Sequence, residues 1–210
     1  MRIDWVPYSA AALVLGATAL SVGALILPSG DSAASTLQMA QNEDGRWLAV
    51  AVLYFLAAVT LTLGMPSALT LFQTRGTKFG LTAIGVFTIG CIGLAGFSML
   101  LVFFRALAES PGIDTAAIES ASSELGLTVF LLGWVGAFYL GELLLGIALL
   151  RAGNLPIWIP GALLLHVLLL PLSAILGFDN PPVTALLITV ALCGVGITAN
   201  QNAAKVPVPA

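Results

Sequence analysis

Six uninterrupted apolar runs dominate this chain, and each approaches the length that a helix needs to cross a bilayer. They lie at residues 6–28, 47–72, 80–104, 127–150, 156–177 and 183–199. A helix rising about 1.5 Å per residue needs roughly 20 apolar residues to cover about 30 Å of hydrocarbon. Membrane strands would alternate apolar with polar residues, whereas these runs are continuous, so helices are expected. Charged residues make up 8% of the chain, against about 25% in a soluble domain, which would lack the polar surface to cover itself. The expectation is an all-α integral membrane protein: one domain, residues 1–210, built as a bundle of six transmembrane helices. Pro181-Pro182 sets the start of the last and shortest run. The first run is too long for a signal peptide, and Asp4 offsets Arg2 ahead of it, so it is read as a retained helix.

The seven basic residues orient the bundle. With six spans, Arg2, Arg75, Lys78, Arg151 and Lys205 fall on one side, and Arg46 and Arg105 on the other. By the positive-inside rule both termini are cytoplasmic. Richness in alanine, glycine and leucine with scarce lysine suggests a bacterial cytoplasmic membrane, crossed several times. The acidic residues, Asp31, Glu43, Asp44, Glu109, Asp114, Glu119, Glu124 and Asp179, then fall outside, where they solvate the loops. In the second outer loop Ser110-Pro111-Gly112 reads as a turn, and Asp114 as the N-cap of a short helix over 115–124. The expected partners are the lipid bilayer and either a second copy of the chain or another membrane protein. No nucleic-acid partner is expected.

Glu142 is the residue that hydrocarbon should least tolerate, since it stands in the fourth run among apolar neighbours. The fifth run holds the single histidine, His166. Ionisable groups at membrane depth are costly, face protein rather than lipid, and are functional candidates by default. Glu142 lies about 12 Å from the inner end of its span and His166 about 15 Å from the inner end of the next. The connection 151–155 makes the two spans an antiparallel hairpin, so the side chains match in depth. Facing each other, they would share a proton, serving as a relay, an ion or ligand site, or a structural clasp. Tyr139, three residues before Glu142, shares its helix face, and its phenol is placed to bond the carboxyl.

Gly133, Ala137 and Gly141 recur every four residues, a small-residue stripe that admits a close helix neighbour, inside the bundle or in a dimer. Pro160 and Pro171 flank His166 and read as breaks that would free the carbonyls of Pro156 and Val167. Thr60, Thr70, Ser98 and Thr189 are expected to bond back to their own helices. Trp5, Tyr8, Trp47 and Trp158 read as interfacial anchors, with Trp134 as another. Cys91 and Cys193 fall inside spans as small fillers. No metal-ligand spacing, nucleotide loop or nucleophile motif occurs, so no metal, cofactor or catalytic residue is assigned.

Three function classes follow. An interaction or accessory protein working through its packing faces ranks first. A small ion- or proton-coupled transporter or channel using Glu142 and His166 ranks second. A lipid-binding protein or membrane enzyme acting on lipid ranks third.

Overall fold

The structure, a computed structural model, describes residues 5–28, 33–72, 76–110, 115–176 and 184–205. Asp114, Pro111-Gly112 and Pro181-Pro182, to which turn and cap roles were assigned above, lie outside the described residues, as do Arg2, Asp4 and Arg75. The chain folds as helices α1 (Val6–Ile26), α2 (Ala33–Asn42), α3 (Asp44–Leu69), α4 (Thr77–Ala108), α5 (Thr115–Ser122), α6 (Leu125–Ala152), α7 (Trp158–Leu176) and α8 (Ala185–Ala204). A 3₁₀ turn, Thr70–Phe72, extends α3. Five of these, α1, α3 with its 3₁₀ extension, α4, α6 and α8, are long and apolar enough to cross a membrane. In α7 the stretch Trp158–Leu172 forms a shorter apolar helix. The molecule is a helical membrane bundle.

Local chemistry sets the helix ends. Glu124, expected as the last residue of the short helix, instead caps α6: it is extended, and its carboxylate accepts the Leu127 N–H at 2.7 Å. These bonds, from the Gly126 amide first and then Leu127, hold its carboxyl below the ordinary value of 4.5, since they favour the charged form. At the other end of α6, Gly153 adopts a left-handed φ of 67° and donates to Leu149 O, a conformation glycine takes without penalty. Pro160 does not break α7. It sits in the first helical turn, where a missing N–H is harmless, and Pro156 O accepts from Ile159 N at 3.1 Å instead. Pro171 does lie inside α7.

Six helices close into a ring in chain order, each antiparallel to its neighbours. Gly64 of α3 lies against the Leu13 backbone of α1, and Gly16 of α1 against Leu61 of α3. Trp47 of α3 donates its indole N–H to Leu101 O of α4 at 2.8 Å. Gly90 of α4 meets the backbone of Phe138 in α6, while Gly141 of α6 meets that of Phe87 in α4. Gly146 of α6 packs on Leu163 and Leu164 of α7, and Gly194 of α8 on Ile159 of α7. Thr189 of α8 donates to Ala17 O of α1 at 2.9 Å, bonding across the bundle as well as to its own helix. A side chain at these glycines would force the helices apart, which is why small residues mark close membrane-helix contacts.

Pro66 leaves α3 without the N–H that would bond Thr62 O, and next to this gap a hydroxyl of α1 inserts into the helix. The Ser9 hydroxyl reaches Leu63 O at 2.8 Å and Gly64 O at 3.0 Å, and accepts from Ser67 N–H at 3.1 Å.

The two ends of the bundle differ. Near the chain termini all six ring helices bury residues in one core, including Leu13, Met65, Phe87, Leu145, Leu163 and Leu192. At the opposite end, capped by α2 and α5, the core draws on α1, α3 and α4 with the caps, through Trp47, Tyr54, Leu94, Leu101 and Ile118. Trp47 is therefore a core residue, 3% exposed, rather than an interfacial anchor, whereas Trp5, Tyr8 and Trp158 are exposed. Gln41 of α2 donates to Ala108 O of α4 at 2.8 Å, and Arg105 pairs with Asp44 and Glu109, fastening the capped end.

Candidate functional site

Glu142 and His166 meet. The imidazole Nδ1 lies 2.9 Å from Oε1 and 3.0 Å from Oε2 of the carboxyl, so both oxygens engage one nitrogen and a single shared proton. The helix hairpin sets this geometry: Gly146 lets α7 approach α6 one turn below Glu142, and Gly153 ends α6 so that the chain returns at once. Asn154 then ties the connection to the end of α3, donating to Leu71 O at 2.6 Å. Glu142 has no exposure and His166 has 8%. Among the described residues the carboxyl has His166 as its hydrogen-bond partner.

Tyr139 takes a different place from the one expected. Its ring stacks on the imidazole, centroids 5.9 Å apart and 27° from parallel, and packs edge-on against Phe138. It fixes the ring plane of His166 while the carboxyl fixes which nitrogen points to α6. With Nδ1 committed to Glu142, Nε2 is the nitrogen left to meet a ligand, an arrangement familiar wherever one ring nitrogen is held so that the other can work.

The imidazole borders a cavity of about 220 Å³ in the capped half of the bundle, where α6, α7 and α8 leave the core. All six ring helices line it: Leu20 and Ala24 of α1, Tyr54 of α3, Leu94 and Phe97 of α4, Trp134, Val135, Phe138 and Tyr139 of α6, His166 of α7, and Ala185 and Ile188 of α8. The walls are mostly aromatic and aliphatic, and polar groups are few: the imidazole, two phenols and the Trp134 indole. The Trp134 Nε1 is buried without a hydrogen-bond partner among the described residues. Small-molecule sites have this composition, a mainly apolar cleft with a few convergent polar groups.

The small-residue stripe of α6 divides. Gly141 is buried against Phe87, whereas Gly133 is exposed, with nothing near the place a Cβ would occupy. Ala137 is half-buried between them. The residues facing α4 are Trp134, Phe138 and Gly141. Sequence reading found Glu142, His166 and Tyr139 from their chemistry. It missed Tyr54, Phe97 and Phe138 as cavity walls, since an aromatic residue in an apolar run carries no sign of which way it faces. Trp134 carried one signal, an N–H that needs a partner wherever water is excluded.

No protein-family model matches the chain, and neither a curated protein nor a solved structure matches it.

Proposed function

We propose that this chain is a six-span protein of a bacterial cytoplasmic membrane that binds a small, largely apolar molecule in its central cavity. His166 is the hydrogen-bonding residue of the site and Glu142 its positioning residue. One observation carries the reading: an imidazole held by the buried Glu142 carboxyl stands on the wall of a cavity that all six ring helices line. The cavity is closed toward the termini by the packed core around Leu145, Leu163 and Leu192, which favours binding over a continuous path through the bundle. The ring contacts of α7 with both α6 and α8 support its role as the fifth of six spans, because it must reach the depth of its neighbours to make them. Lys78, Arg151 and Lys205 lie at the end of the bundle that carries the termini, which supports a cytoplasmic position for both.

The interaction reading loses ground because Gly141, the innermost member of the stripe, is already used inside the bundle. Transport is the second reading, favoured by Pro171, which cannot donate to the carbonyl of Val167 beside His166. Binding is tested by mass spectrometry of small molecules retained by the detergent-purified protein and by an Ala24→Trp variant with the cavity filled. A stoichiometric molecule held by the first and lost from the second is expected. Equal retention would sink the binding reading, and proton flux into liposomes abolished by Glu142→Gln would put transport in its place.

A further inference from the structure

A second cavity lies against the first. It measures about 630 Å³ and sits between α4 and α6 beneath α5, with Leu101, Phe104, Ile118, Leu127 and Leu131 on its walls. Its size falls in the range of about 300–1,000 Å³ typical of ligand sites, and its surface is mainly apolar, with Thr36 and Ser122 as the hydroxyl-bearing residues on its walls. Trp47 reaches it, but the Trp47 N–H is already bonded to Leu101 O. Phe97 borders both cavities. Its ring packs between Tyr54 at 6.0 Å and Trp134 at 5.7 Å, so one aromatic side chain partitions an apolar chamber from one that holds hydrogen-bonding groups.

The chambers differ in a way that matches the two ends of an amphiphile. The larger offers apolar contact and suits a long hydrocarbon chain, each buried methylene contributing about 0.8 kcal/mol. The smaller offers aromatic faces for a flat ring, from Tyr54, Phe97, Trp134, Phe138 and Tyr139. Trp134, on its wall, carries a buried Nε1 with no hydrogen-bond partner among the described residues, and the imidazole beside it has Nδ1 already committed. Where water is excluded, a donor left unbonded is destabilising, and an acceptor oxygen on the ligand would relieve this. At the capped end of the bundle Arg105 is paired with Asp44 and Glu109, and Arg46 with Glu43, which does not suit an anionic head.

Resting on the binding reading above, we infer that the two cavities are one site for an uncharged amphiphile with a flat, carbonyl-bearing head and one long apolar tail. A lipid quinone has this chemistry. The head lies in the central cavity with a carbonyl oxygen accepting from Trp134 Nε1, His166 Nε2 facing the second acceptor, and the tail passes Phe97 into the larger cavity.

The test uses the full-length protein in detergent and three probes: a decyl-substituted benzoquinone, decylbenzene without the carbonyls, and a methyl-substituted benzoquinone without the tail. Ala24→Trp supplies the baseline for partition into micelles. One saturable site for the decyl quinone is expected, with decylbenzene at least about tenfold weaker. Trp134→Phe, which keeps the ring and removes the donor, should weaken the decyl quinone about tenfold, equivalent to about 1.4 kcal/mol. Leu131→Trp, or Ala121→Trp should the first not fold, should weaken the decyl probe about tenfold and leave the methyl probe unchanged. Equal affinity for decylbenzene, together with no effect of Trp134→Phe, would overturn the head assignment. It would leave the cavity reading standing provided that Ala24→Trp still blocks binding. No effect of filling the larger cavity would overturn the tail assignment. Binding to Ala24→Trp as tight as to the native chain would overturn the cavity reading itself.

Discussion

Replacing Glu142 and His166 by apolar residues of similar size separates what the pair contributes from what each group costs. With His166→Phe the carboxyl, which has no exposure, loses its hydrogen-bond partner. With Glu142→Met the imidazole loses its own. A buried polar group left unsatisfied costs about 1–3 kcal/mol, so each single variant should be destabilised by that amount. The double variant leaves neither orphan, and apolar replacement of both partners of a buried pair is often neutral or stabilising. Hydrogen bonds between membrane helices average about 0.6 kcal/mol and reach about 1.7, because the unfolded chain in the membrane finds other partners. Here both carboxyl oxygens lie within 3.0 Å of one nitrogen, which places this pair toward the upper end. A coupling of about 1.4 kcal/mol is expected, a tenfold effect on the unfolding equilibrium. Reversible unfolding in mixed micelles of dodecyl maltoside and dodecyl sulfate, across all four proteins, measures it. Additivity of the two substitutions to within about 0.3 kcal/mol, the scatter of independent sites, would refute the claim that the pair acts as a unit.

Three further outcomes follow from the packing and the caps. Gly141→Leu should destabilise by more than about 1–3 kcal/mol, the usual cost of overpacking, because even a Cβ there overlaps the Phe87 backbone; Gly133→Leu, on the open face, should unfold at the same detergent ratio as the native chain and would disturb only a partner bound there. Ser9→Ala should cost about 1–3 kcal/mol in the same assay, since it unpairs the backbone groups beside Pro66, while Thr82→Ala at an exposed site should cost little. Glu124 has a folded pKa below its ordinary 4.5, so its capping contribution is present above that value and fades as pH falls through the lower folded one; amide exchange at Leu127 should therefore quicken relative to mid-α6 amides on acidification, and Glu124→Ala should remove that pH dependence.

The ionisable pair was more legible than its surroundings. Glu142 and His166 stood out because charge in an apolar run is costly, and a short hairpin links their depths with no knowledge of rotation. Glu124 was misassigned because two helices meet near it, and only the chain direction after Ser122 shows which one it caps. Pro160 was read as a break because sequence does not mark where the first turn of α7 begins. Thr189 was assigned to its own helix, but the closeness of α1 gave its hydroxyl a second acceptor.

Sequence alone determined the class: continuous apolar runs with 8% charge make helices in a membrane, because hydrocarbon requires each backbone group to find its partner within the helix. Tertiary structure decided rotation and contact: that Glu142 faces His166, that Gly141 turns inward while Gly133 turns out, that Trp47 is core, and that Phe97 divides two cavities. The physical reason lies in the solvent. Around a soluble helix, water and protein interior demand different residues, and the pattern shows which face is buried. Around α6, lipid and protein interior accept the same apolar side chains, so its sequence carries little record of which face each meets.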